Sequence, residues 1–87
     1  QIVGVLVLAH YPTLTGRKAR IEDVVVDESR RGWGIGRALV NRAIIEAMEH
    51  EAATIDLTSN PLRRAAHNLY RTCGFSERAT TPFRLKF

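Results

Sequence analysis

A single cysteine, Cys73, leaves no partner for an internal disulfide, in keeping with a reducing compartment. Long apolar runs are missing too. The longest, residues 2–9, falls far short of the roughly 20 residues that cross a bilayer, and no basic segment precedes it as in a signal peptide. A cytoplasmic protein with no membrane partner is expected. Aromatic residues make up only 7% of the chain and are not interleaved with its basic stretches, which argues against nucleic-acid binding through stacking platforms. His10, His50 and His67, with Cys73, show neither H-x-x-x-H nor C-x-x-C spacing, so no metal is expected and the histidines read as surface or packing residues. No methionine opens the chain, which begins inside a strand-like run, so an excised or truncated domain is expected.

What is present is ordinary globular composition, 45% hydrophobic and 25% charged, over 87 residues. That length supports one domain, 1–87, with a small core and thin stability. A formal charge of +4 and an isoelectric point near 10.0 favour an anionic partner without saying which.

The pattern along the chain alternates strands and helices. Residues 2–9 are continuously apolar and read as a strand buried on both faces, and "HYPTLTGRKA" reads as a loop. Residues 20–26 form a second strand, antiparallel to the first, with Glu22, Val24 and Val26 on one face and Ile21, Asp23 and Val25 on the other. Val40, Ala43, Ile44, Ala47 and Met48 make one helical stripe within residues 34–51. A third strand over 54–58 leads to "SNP", where Ser59 or Asn60 caps a helix starting at Pro61. Leu62, Ala65, Ala66, Leu69 and Cys73 are its buried stripe, and Gly74 ends it. Residues 75–87 read as one or two final strands. The order predicts an α/β domain with a mixed sheet.

The stretch "SRRGWGIGRALV" sets Gly32, Gly34 and Gly36 at alternate positions between arginines, directly before the first helix. The first amides of a helix are unpaired and its dipole is positive there, while glycine lets a ligand approach the backbone. Arg31 and Arg37 add charge at the rim, so the loop suits a pyrophosphate. It is not a Walker loop, which needs a lysine here. Nor is it G-x-G-x-x-G, because Gly32 and Gly34 lead to Arg37 and the next pair leads to Leu39. Asp56 stands at a distance suited to a ribose-binding acid, a weak pointer to a dinucleotide.

The spacing that does fit is R-x-x-G-x-G, through Arg31, Gly34 and Gly36, at the end of an apolar strand and the start of an amphipathic helix. With it, "IEDVVVDESRRGWGIGRALV" resembles the strand, pyrophosphate loop and helix of the GCN5-related N-acetyltransferase (GNAT) family. The stretch "LTSNPLRRAAHNLYRTCGF" resembles that family's later strand and helix, ending in Tyr-x-x-x-Gly-Phe. Two motifs in order make the likeness specific. It covers the later part of the family's fold and implies a mixed, mostly antiparallel sheet flanked by helices, without the family's N-terminal strand and helices.

The resemblance implies acetyl-CoA as co-substrate and no metal. The backbone of Arg31, Gly32, Trp33, Gly34, Ile35, Gly36 and Arg37 would hold its pyrophosphate. Val24, Val25 and Val26 would pair by main chain with the pantetheine arm, as a peptide adds to a sheet edge, where the family's neighbouring strand splays away. Tyr70 would protonate the leaving thiolate, since a phenol ordinarily titrates at roughly 10, above a thiol. Glu22 is the candidate general base on the acceptor ammonium; an acid inside a strand otherwise needs a reason, and the bland one is a salt bridge with Arg20. Trp33 packs the loop or covers the cofactor. Many family members carry asparagine where Arg63 stands, so that residue's role is open.

These residues together point to direct acetyl transfer to an amine, of a small molecule or of a protein. Two alternatives stand beside it: a remnant that binds CoA without turnover, and a small basic nucleic-acid-binding module using its arginines on phosphates. Exposed sheet edges and a small core favour a homodimer.

Overall fold

The computed structural model describes residues 4–27, 34–59 and 64–87. Two long strands, β1 (Gly4–Thr13) and β2 (Gly16–Val26), form an antiparallel hairpin; α1 (Ile35–Glu49) then crosses to β3 (Thr54–Leu57), and α2 (Arg64–Thr72) follows. The sheet order is β1-β2-β3, with β3 parallel to β2, so the sheet is mixed and its longer ladder is antiparallel.

The hairpin replaces the expected loop at 10–19. Both strands run on until Thr13 pairs with Gly16, and the Thr13 hydroxyl donates to the Gly16 carbonyl at 2.6 Å, closing a two-residue turn. Pro12 fits inside β1 because β1 is an edge strand among the described residues, where a missing N–H is tolerated. The expectation that the first strand is buried on both faces is also corrected. Val5 and Val7 are 45% and 46% exposed, whereas Leu6 and Leu8 are half-buried, which is the alternation of a strand covered on one side.

That covered side faces α1. A Cβ added at Gly4 would stand 3.0 Å from Ile35 and 3.1 Å from Leu39, so the helix lies close on the end of β1. Ala19 and Ile21 of β2 are buried there with Val40, Ala43 and Ala47 of α1. Met48, expected on the same stripe, is 70% exposed, although Ala47 beside it is buried. On the outer side Arg42 and Glu46 pair at 2.8 Å across one turn. Among the described residues the core is made of small side chains, and only Tyr70 adds an aromatic to it.

Both helix ends close in the same way. At α2, the Phe75 N–H reaches the Tyr70 carbonyl and the Gly74 N–H the Arg71 carbonyl, each at 3.0 Å. This is the paired bonding of a Schellman end, with Gly74 at φ 101°, as expected of it. At α1, Ala52 bonds to Ala47 and Glu51 to Met48, but the left-handed position is held by Glu51 at φ 60°. Beside this end the His10 and His50 rings stack at 4.2 Å, tying β1 to the helix terminus.

Where a final strand was expected, residues 75–87 carry no strand pairing, and the outer edge of β3 has no strand partner among the described residues. Phe83, Leu85 and Phe87 alternate as in a strand with one apolar face, yet all are exposed. A period of two gives a strand only where a neighbouring edge accepts its main-chain bonds.

Candidate functional site

Among the described residues, Glu22, Val24, Val25, Val26 and Tyr70 lie about the point where β2 and β3 part. β3 pairs with β2 from Lys18 to Ile21, and its last pair is Ile21 with Leu57. β2 continues for five more residues, 22–26, bonded to β1 on one side and to no strand on the other among the described residues. Val24, Val25 and Val26 therefore lie on an open edge. Their side chains do not share this role: Val24 and Val26 are half-buried toward α1, while Val25 is 61% exposed on the opposite face.

A bulge corrects the expected face assignment. Val7 pairs with Asp23 but Leu8 pairs with Ile21, so Glu22 is an extra residue with nothing opposite it on β1. The insertion reverses parity along β2. Ile21 and Val24, three residues apart, face α1 together, and Glu22 does not simply share the face of Val24 and Val26. Its carboxylate is about half exposed and lies 3.5 Å from the Arg20 guanidinium.

The first turn of α1 stands at the same end. Gly34 caps the helix at φ 77° with no side-chain bond, and the first intrahelical bond of the turn runs from the Ala38 N–H to the Gly34 carbonyl at 3.0 Å. The amides of Ile35, Gly36 and Arg37 precede that bond and have no partner within the helix. No acidic side chain lies in this first turn. The glycines serve different ends. Gly34 supplies the left-handed turn with open space around it, whereas a Cβ at Gly36 would stand 3.3 Å from Leu69 and 3.8 Å from Val26. Gly36 thus brings α1, α2 and the end of β2 into contact. Arg37 is exposed; Arg31, Gly32 and Trp33 lie outside the described residues, as do Asn60, Pro61, Leu62 and Arg63.

On the β3 side a cavity of about 740 Å³ is lined by Arg20, Thr58, Ser59, His67 and Tyr70, among others. Glu22 lies outside this described lining and connects to it through Arg20. Tyr70 is 9% exposed and sets its ring against Phe75, centroids 6.1 Å apart at 62°. Tyr-x-x-x-Gly-Phe thereby acquires a physical reading: the tyrosine and phenylalanine make the apolar contact that accompanies a Schellman end, and the glycine makes the turn between them. Ser59 Oγ is buried and has no hydrogen-bond partner among the described residues. Thr58, which the sequence did not single out, joins Arg20 across the cavity wall, and Arg20 also makes the ion pair with Glu22 that the sequence offered as the plain reading of that acid.

Among the described residues no group of three or more His, Cys, Asp or Glu could hold a metal, and no helix is long and apolar enough to cross a membrane. Cys73 is half-buried where α2 ends.

A strand that outlasts its parallel neighbour, a glycine-capped helix opening beside it, and a Tyr-Gly-Phe helix end make up an α/β domain with a mixed sheet and flanking helices. The model of the acetyltransferase (GNAT) family matches residues 1–75, and the chain belongs to that family. It is 38% identical over 63 residues to a probable glucosamine 6-phosphate N-acetyltransferase 2 of Oryza sativa subsp. japonica, across 72% of this chain and 36% of that protein. A transcriptional regulator from Bacillus halodurans C-125 superposes with a TM-score of 0.89 at 34% identity, over 100% of this chain and 59% of its own. A chain of the NatC complex bound to Gag peptide and CoA superposes at 0.83 with 28% identity, over 87% of this chain and 48% of its own. The chain thus spans between about a third and three fifths of these relatives' length.

Proposed function

We propose that this chain forms the cofactor-binding part of an acetyl-CoA-dependent N-acetyltransferase that passes the acetyl group directly to an amine. The observation that carries the reading is the coincidence, at one end of the sheet, of the open β2 edge at residues 22–26 with the first amides of α1, which have no partner within the helix. An extended pantetheine arm needs main-chain partners, and a pyrophosphate needs N–H donors near the end of that arm. Val24, Val25 and Val26 offer the first; the amides of Ile35, Gly36 and Arg37 offer the second, joined in this reading by those of the preceding sequence from Arg31.

In this reading Glu22, directly or through a water, takes the proton of the acceptor ammonium so that a neutral amine can attack. A main-chain N–H near Val24 to Val26 receives the negative charge that develops on the thioester oxygen. Tyr70 gives its proton to the departing sulfur. Acid and base each contribute roughly 10²- to 10⁴-fold, and alignment of the two reactants contributes more. The acceptor is an amine; the rice relative's name makes glucosamine 6-phosphate the first to try.

The test is calorimetric titration with acetyl-CoA, comparing wild type with an Arg31→Ala, Arg37→Ala double variant. Charged hydrogen bonds contribute about 1.5–3 kcal/mol each, so the variant should bind at least about tenfold more weakly while unfolding at the same temperature. Equal affinity in the two proteins would remove the two arginine side chains from the cofactor site.

A further inference from the structure

Arg20 sits one step before β2 and β3 separate, paired in register with Ala9 on one side and Asp56 on the other. Its side chain makes two contacts beyond that ladder. Nη2 donates to Thr58 Oγ1 at 2.5 Å, and Nε lies 3.5 Å from Glu22 Oε1. Among the described residues, neither partner is held by a facing strand residue. Thr58 follows the last residue of β3, and Glu22 is the unopposed residue of the bulge. One guanidinium therefore spans the mouth of the opening, with a hydroxyl from one strand and a carboxylate from the other.

Such contacts add little to stability, because both charged side chains are more than a third exposed and exposed pairs are screened by water. What they fix is geometry. A planar guanidinium presents its donors at set angles, so holding Thr58 with one nitrogen restricts where the other can hold a carboxylate. Catalysis is sensitive to displacements of about 1 Å.

We propose that Arg20 is a positioning residue for acetyl transfer: it tethers Thr58, which fixes how far the two strands part, and it holds the Glu22 carboxylate at the opening. The second half rests on the reading of Glu22 as general base. An aliphatic side chain at position 20 would leave both partners to water, and an ammonium would hold one of them at a time.

Two measurements on the full-length enzyme test this. Amide hydrogen exchange, without cofactor, should speed up about tenfold or more at residues 22–26 and 54–58 in Arg20→Met, and partly recover in Arg20→Lys. Steady-state release of CoA thiol, with acetyl-CoA and glucosamine 6-phosphate, should show kcat falling about 10- to 100-fold in Arg20→Met, with the KM for the amine changing less than threefold. In a Glu22→Gln background the same substitution should then cost less than about threefold more. Unchanged exchange in Arg20→Met overturns the tether, and a full kcat loss retained in the Glu22→Gln background overturns action through Glu22. Wild-type kcat in Glu22→Gln, or no turnover of this amine by wild type, refutes the base or the acceptor respectively, while the exchange measurement still decides the tether.

Discussion

Two substitutions at Tyr70 separate the work of its ring from that of its hydroxyl. The ring is one of the few sizeable side chains in a core of alanines, valine and isoleucine, and it supports the turn at Gly74 through Phe75. Tyr70→Ala removes a buried aromatic, which costs about 3–5 kcal/mol. For a chain of 87 residues the whole stability is about 4–13 kcal/mol, so that variant should be largely unfolded or melt more than about 10 °C lower. Tyr70→Phe keeps the ring and its edge contact and deletes one oxygen, which changes stability by no more than about 1 kcal/mol. If the hydroxyl supplies the leaving-group proton, kcat in Tyr70→Phe drops about 10²- to 10⁴-fold while calorimetric affinity for acetyl-CoA stays within a few-fold. The assays are thermal unfolding, titration, and thiol release by the full-length enzyme. A Tyr70→Phe enzyme with wild-type kcat would refute the acid role and leave the residue as packing alone.

The two helix ends give opposite stability predictions. Glu51 occupies a left-handed position at φ 60°, so Glu51→Gly should stabilise the fold by about 1 kcal/mol, the loss of its exposed 3.7 Å pair with Arg17 offsetting little. An equal or lower midpoint in urea would contradict the conformational argument. Gly74 has nothing within 4 Å of an added Cβ, so Gly74→Ala should cost about 1–2 kcal/mol through backbone conformation alone. A melting temperature unchanged by that substitution would show that the turn relaxes to another conformation.

The elements that a periodic pattern encodes were legible from the residues. The α1 stripe through Val40, Ala43 and Ala47, the strand at Thr54–Leu57 and the end of α2 at Gly74 stand where side-chain spacing and turn chemistry place them. The bulge was not legible, because Val24, Val25 and Val26 after it are all apolar and show no alternation from which a shifted register could be read. The hairpin extension was hidden by Pro12 and Gly16, residues that ordinarily mark loops and here stand at an edge strand and at a turn. Exposure was the hardest to read. Val5, Val7 and Val25 carry the composition of a buried strand, but whether both faces are covered depends on elements distant in sequence. At the candidate site, Glu22, Tyr70 and the glycine spacing were visible as motifs. Arg20 and Thr58 lie 38 positions apart and meet only through the pairing of β2 with β3.

The location of the site follows from topology more than from any one of its residues. β2 and β3 are parallel, and parallel neighbours need a crossover, here α1, that starts where the first strand finishes. The positive end of the helix is thereby delivered to the carboxyl end of β2, and the Gly36 contact with Val26 holds it there. An open-edged strand also requires that its neighbour stop short; β3 has four residues against eleven in β2. The short strand and the helix start are thus two consequences of one strand-helix-strand unit. On the proposed reading, a ligand with an anionic group at one end and an extended amide-bearing arm at the other would meet complementary groups on both.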